Sequence, residues 1–477
     1  MRIQKLLITS LASILTIGCF SQTKEDYLKT AHDKEVHGDL SGAMADYSKA
    51  IEIDPKNKLA YFNRGDLKKR LLVDYKGAID DFSKAIEIDP NYTSAYYYRG
   101  ETKKLTSDYR GAVSDYGKAI MIDPKKNAWI FYYRGDAKFM LNDYRGAIAD
   151  LNKAVENNPK NSEAYSERGN TKDELKDFLG AINDYSKAIA IDPRPGDYYC
   201  RGSDKLYSLH DFKGAIADYS KAIELYPTSF LYYVERAKAK IPLADEQGAI
   251  DDCTKAIEIN PENSEAYTVR GSAKEGLNDY QGAIDDCTKA IEISPENSEA
   301  YLNRGSAKEA QKDYQGALAD FNIAIEIDRN NGRAYVCRGS VKVDLQDEQG
   351  AILDYSKAID IESKNYAAYF GRGNAKYLLE DYRGAILDCT RAIAMGFKDS
   401  DAYSIRGASK YFLKDYRGAI FDCTKAIAID SKNSFAYFYM GEAKALIGQK
   451  ESGCLALSKA GELGFEGAYE AIKKYCN

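Results

Sequence analysis

Residues 300–329, AYLNRGSAKEAQKDYQGALADFNIAIEIDR, carry two successive helical patterns. In the first, Tyr301, Arg304, Gly305 and Lys308 fall at i, i+3, i+4 and i+7, a spacing that a helix turns onto one face. Two of the four are cationic, although a packing face is normally apolar. In the second, Ala317, Asp320, Phe321 and Ala324 share a face, with one acid among apolar neighbours. Asp313 stands between the two, where its carboxylate can accept backbone hydrogen bonds from the start of the second helix. The pattern predicts a pair of antiparallel helices, each with charge on the side that packs.

The pair recurs along nearly the whole chain. The Gly of a GAI-like tripeptide runs from Gly42 to Gly453 at intervals of 34 residues, with three intervals of 35. Each unit reads A-Y-x-x-R-G-x-x-K, then a turn with Asp, then G-A-I-x-D-x-x-K-A-I. Asp74, Asp143 and Asp415 repeat the N-cap of Asp313, and Pro55, Pro90, Pro124 and Pro159 follow second helices, which must end before a proline. Repetition at this period is the mark of an array in which each unit packs only on its neighbours.

This pattern resembles the tetratricopeptide repeat. In one unit the family's marks fall on Tyr301, Gly305, Ala317, Phe321 and Ala324, with Pro295 one unit earlier. The resemblance covers residues 24–463. It implies an all-α fold, a right-handed α-solenoid superhelix of about 13 helix-turn-helix repeats, with first helices lining a concave groove that binds a protein or peptide. Residues 464–477 are expected to cap the array with one further helix.

The cations are the departure from that family. The Arg recurs in eleven units, from Arg64 to Arg406, and the Lys in every unit from Lys34 to Lys444. An Asp on the second helix accompanies them, from Asp46 to Asp422. In unit thirteen Met440 replaces the Arg, and Ala456 or Leu457 the Asp, so both charges vanish together. A buried charge needs a partner, and the planar guanidinium can bind a carboxylate through two hydrogen bonds. We therefore expect a structural ladder, with Arg270, Asp286, Arg304, Lys308, Asp320, Arg338 and Asp354 among its rungs. The pattern leaves open whether each Asp pairs with the Arg of its own or of the next repeat.

The family's groove positions, carried over, fall on Tyr97, Trp129, Tyr132 and Phe139 in units three and four. They fall on Glu163, Glu265, Glu275, Glu299 and Glu309 in the middle units, and on Phe370, Tyr377, Tyr411, Phe412, Phe435 and Phe438 near the C-terminus. The chaperone-binding subfamily's carboxylate clamp is missing. Asn63 and Asn303 match its central Asn, but the flanking places hold Leu28, His32, Ser94 and Tyr98 around one, and Glu265, Val269, Arg333 and Cys337 around the other.

The N-terminus differs from the repeats. Arg2 and Lys5 precede an apolar run from Leu6 to Ile17 and then small residues, the layout of an export signal over residues 1–22. The run is too short for a comfortable transmembrane helix. The expected location is periplasmic or secreted; the alternative is a lipoprotein, with a lipid anchor at Cys19. The array is then 23–463. A net charge of -6 argues against nucleic acid. No Ser-His-Asp set, metal cluster or phosphate loop appears, so neither catalysis, cofactor nor metal is expected.

Cys253, Cys287, Cys389 and Cys423 occupy the aromatic core position and read as small buried hydrophobes. Cys454 and Cys476 lie equally far from the turn at 464–466, so antiparallel helices would bring them together as a disulfide. The reading that follows is a non-enzymatic scaffold of the bacterial envelope that binds a protein or peptide. A carbohydrate-binding or surface-structural protein, or the targeting subunit of an enzyme complex, stand as alternatives.

Overall fold

A computed structural model of the chain describes residues 23–476, so the export signal and the Cys19 anchor site lie outside the described residues. These form an all-α solenoid of thirteen helix pairs followed by a final helix, Ala468–Tyr475. They fall into two compact units divided after Pro227. The first holds repeats one to six, and the second repeats seven to thirteen with the last helix.

Repeat nine shows how the sequence builds a pair. Its first helix, Ser298–Ala310, starts at Asn297, whose side chain accepts from the Ala300 N–H; its second, Tyr314–Ile327, starts at Asp313, which accepts from the Gly316 N–H. Between them Lys312 has φ 63°, and the Asp313 N–H returns to the Lys308 carbonyl at 2.9 Å. That is a Schellman-type ending, made here with a non-glycine residue in the left-handed region. Where the helices cross, Gly305 meets the Phe321 ring so closely that an added Cβ would lie 2.6 Å from its Cε1. Glycine is therefore required by the approach of the two backbones. Cys389 and Cys423 take the ring's place against Gly373 and Gly407.

Among the described residues three first helices end irregularly: Phe230–Lys240 runs into a 3-10 turn, and two others into π-turns. Lys68–Leu72 and Asp204–Ser208 widen into π-turns. In both repeats the Arg and Asp are 17 residues apart, against 16 in a repeat such as the third. The π-turn absorbs the extra residue and keeps the charged pair in register.

The final helix buries Ala468 and Ala471, and a disulfide joins Cys454 to Cys476 with Cα atoms 5.7 Å apart.

Candidate functional site

The charged faces come together inside each repeat. Arg304 Nε donates to Asp320 Oδ2 at 2.9 Å and Nη2 to Oδ1 at 2.7 Å, while Lys308 Nζ donates to Oδ2 at 2.7 Å. The same fork joins Arg270 to Asp286 and Arg338 to Asp354. Each of these Asp residues thus pairs with the Arg of its own repeat. The remaining nitrogen does something the sequence analysis missed. Arg304 Nη1 donates to Thr288 Oγ1 at 3.2 Å, on the second helix of the preceding repeat. Arg99 does the same to Ser83, and Arg168 to Asn152. The signal was present as a hydroxyl or amide two residues after the ladder Asp, as in Asp81-Phe82-Ser83. The guanidinium also lies 5.4 Å from the centre of the Tyr301 ring one turn back. Each such Arg therefore closes its own pair and ties it to the pair before.

At Asp388 burial pushes the carboxyl up, but the hydrogen bonds and charges of Arg372 and Lys376 outweigh it and hold the group below its ordinary value. The ends of the array drop the fork. In repeat one Thr30 Oγ1 donates to Asp46 at 2.8 Å beside Lys34. In repeat thirteen Met440 receives only a 3.6 Å contact from Thr424.

The predicted groove positions divide into packed and open residues. Tyr97 is 9% exposed and packs in the core between Tyr116 and Tyr133, and it also lines a cavity shared with Trp129. Trp129 is 48% exposed and stands 4.6 Å from Tyr97, at the rim of a cavity of about 610 Å³ that Ser94, Tyr98, Asp123 and Asn127 also line. Tyr132 is half-buried beside Glu163 at a second cavity of about 440 Å³. Phe139 packs against Tyr144, 5.6 Å away.

In the second unit, Glu265 pairs with Lys238, and Glu299 with Arg333 at 3.0 Å. Burial pushes the carboxyls of Glu275 and Glu309 above their ordinary value. Phe370 lies 5.1 Å from Phe397. Tyr377, Tyr411, Phe412 and Phe435 converge on Tyr439, with Phe435 nearest at 4.7 Å and the Tyr377 and Tyr439 hydroxyls 3.1 Å apart. Phe438 stacks on Phe465 at 4.4 Å, so the turn before the last helix covers it. Of this cluster Phe412 stays open, at 42% exposure.

The buried thiols of Cys253, Cys287, Cys389 and Cys423 are each pushed up to about 12 by burial, which suits packing and not nucleophilic attack. Among the described residues no group of three or more His, Cys, Asp or Glu is placed to hold a metal ion, and no helix is long and apolar enough to cross a membrane.

No curated protein matches the chain. Among solved structures, the APC/C hetero-tetramer Cut9–Hcn1 aligns over 99% of this chain and 99% of that one, at TM-score 0.50 and 14% identity. Yeast Tom70 aligns over 82% and 96%, at TM-score 0.44 and 16% identity. A tetratricopeptide repeat protein from Parabacteroides merdae aligns over 52% and 99%, at TM-score 0.39 and 21% identity. At 14% identity the likeness to the first of these speaks to the fold alone. Family profiles described as TPR or tetratricopeptide repeat match residues 37–71, 59–92, 132–197 and 268–332. The matched segments share their Gly-to-ring crossing and Arg–Asp fork with repeats outside them, such as the third. The matched segments are tetratricopeptide repeats, and the repeats outside them share their helix-pair fold.

Proposed function

We propose that the chain is a non-enzymatic scaffold that holds a protein or peptide segment against its first helices, and that it works in the bacterial cell envelope after export. The observation that carries the binding reading is Trp129. It is the only Trp in the chain, and it stands half-exposed at a cavity walled by Tyr97 and Tyr98. Large aromatic side chains left open beside a cavity are common anchors for a partner. Phe412 is the corresponding open residue in the second unit. Export is supported by the composition of residues 1–22 and by the Cys454–Cys476 disulfide, since such bonds persist in oxidising compartments.

Affinity capture from native envelopes, with wild type beside Trp129→Ala and Phe412→Ala, tests the binding reading. One specific partner should be lost from at least one variant while both keep wild-type helicity. Retention of every partner by both variants would reject these anchors. Mass spectrometry of the mature N-terminus tests export: cleavage near residue 22 or a lipidated Cys19 is expected, and an intact Met1 in the mature protein would overturn it.

A further inference from the structure

On the second helix of each repeat, the residue just before the ladder Asp faces outward. In repeats one to nine it is small or polar, as at Ala149, Asn183 and Asp251. In the last four repeats the same place holds Leu353, Leu387, Phe421 and Leu455, spaced 34 residues apart. Each of these is between 53% and 74% exposed. Isolated apolar side chains on a surface are ordinary, but four in register on successive repeats are not.

A second position changes with the first. A cation stands four residues further along in nearly every repeat, and where a Glu follows it by three residues the two can pair. Lys84 and Glu87 meet at 2.6 Å, Lys221 and Glu224 at 2.7 Å, and Lys255 and Glu258 at 2.6 Å. In repeats eleven and twelve that Glu is replaced by Ala394 and Ala428. Arg391 and Lys425 are therefore exposed and, among the described residues, have no carboxylate partner. Arg391 lies 5.6 Å from the centre of the Tyr369 ring, and Lys425 lies 5.7 Å from that of Phe421. One turn before the apolar residue, Arg383 and Arg417 add two more exposed cations. Arg383, Leu387 and Arg391 share a helix face at i, i+4 and i+8, and Arg417, Phe421 and Lys425 repeat it. Four cations thus flank two open apolar side chains, in a chain whose net charge is -6. Acids bound this patch at Asp360 in repeat ten and at Glu451 and Glu462 in repeat thirteen.

We propose that this outer face of repeats eleven and twelve, with Leu353 and Leu455 to either side, docks on an anionic phospholipid surface. The apolar side chains come one from each helix and project outward, so they form a ridge and not a groove. A protein partner is usually held by anchors seated in pockets. A lipid surface asks less: apolar side chains that reach the acyl boundary, and cations beside them at the level of the phosphates. Leu387 and Phe421 supply the first, and Arg383, Arg391, Arg417 and Lys425 the second. The loss of Glu at Ala394 and Ala428 matters because an internal ion pair would cancel the charge offered to the phosphates. None of these residues belongs to a first helix, so the proposal is independent of the peptide-binding reading.

The full chain carrying Phe421→Trp reports on this face directly. The emission added by the substitution, taken as the difference from wild type, would be followed against vesicles of phosphatidylglycerol and phosphatidylcholine in equal parts, and against phosphatidylcholine alone. Because the probe is local, attachment of the chain elsewhere does not produce the signal. On the anionic vesicles the added emission should shift to the blue and be quenched by brominated acyl chains, with a much weaker response on the neutral ones. Adding Arg391→Gln and Lys425→Gln should raise the lipid concentration at half effect by at least about tenfold, and salt should act in the same direction. Both cations are exposed, so these variants keep the fold. No spectral shift on either vesicle, an equal shift on both, or an unchanged midpoint in the charge variant would each overturn the proposal. Capture of an acidic protein by wild type and not by the charge variant, with no response to vesicles, would assign the face to a protein and overturn it as well.

Discussion

Asp388 and Asp204 are both aspartates withdrawn from water, and their surroundings could hardly differ more. Asp388 accepts from Arg372 Nε at 2.8 Å and Nη2 at 2.9 Å, and from Lys376 Nζ at 2.7 Å. Asp204 faces Asp173 and no cation. Burial raises both, but at Asp388 the two cations win and the carboxyl ends below its ordinary value, whereas at Asp204 the second acid adds to burial and the value climbs to about 7. One carboxylate is a finished structural joint. The other is held in a state the fold does not favour.

The two should respond to pH in opposite directions. A carboxyl held low binds its proton less readily when folded than when unfolded, so Asp388 contributes stability above about pH 4, and that contribution disappears as pH falls through its lowered value. A carboxyl held high binds its proton more readily when folded. Asp204 is therefore favourable in acid, and its contribution declines as pH rises from about 4 towards 7.

Substitution sharpens the contrast. Asp388→Ala strands two cations in a partly buried site and should cost about 3–5 kcal/mol, read as faster hydrogen exchange in helix Tyr382–Ala394. Exchange is the better measure here, because a long array need not unfold in one step. Arg372→Ala leaves Lys376 in place and should cost less, about 2 kcal/mol. The double variant Arg372→Met, Asp388→Ala copies the apolar pair of Met440 and Ala456 and should return to within about 1 kcal/mol of wild type. A double variant as weak as Asp388→Ala would mean that the Arg matters chiefly through its link to Ser356 on the preceding repeat. Asp204→Asn should go the other way, gaining about 1–2 kcal/mol at pH 8 and little at pH 5. The smallest effect is spectroscopic: carbon-detected titration of wild type should show the Asp173–Asp204 pair releasing a proton with an apparent value near 7, and loss of that proton near pH 4 would remove the contrast.

Much of the ladder was legible before any coordinates. Met440 takes the place of the Arg, and Ala456 or Leu457 that of the Asp, in the same repeat, which a reader can see without knowing where either side chain points. The fork's third arm was harder, because a Ser or Thr two residues after an Asp is common in helices and its meaning depends on the neighbouring repeat. How deeply Tyr97 packs was not legible, because only the convergence of Tyr116 and Tyr133 on it leaves so little of its ring exposed at the cavity. Phe438 looked open for a similar reason, until Phe465 folded onto it.

The sequence by itself determined the helix pairs, their period and their caps at residues such as Asp313, because all of these depend on contacts within one unit of chain. Tertiary structure decided which partner each ladder nitrogen reaches, which aromatics remain open, and that Asp204 has no cation beside it. Those outcomes depend on distances between residues far apart in the chain, and a repeating sequence offers several equivalent partners until packing selects one.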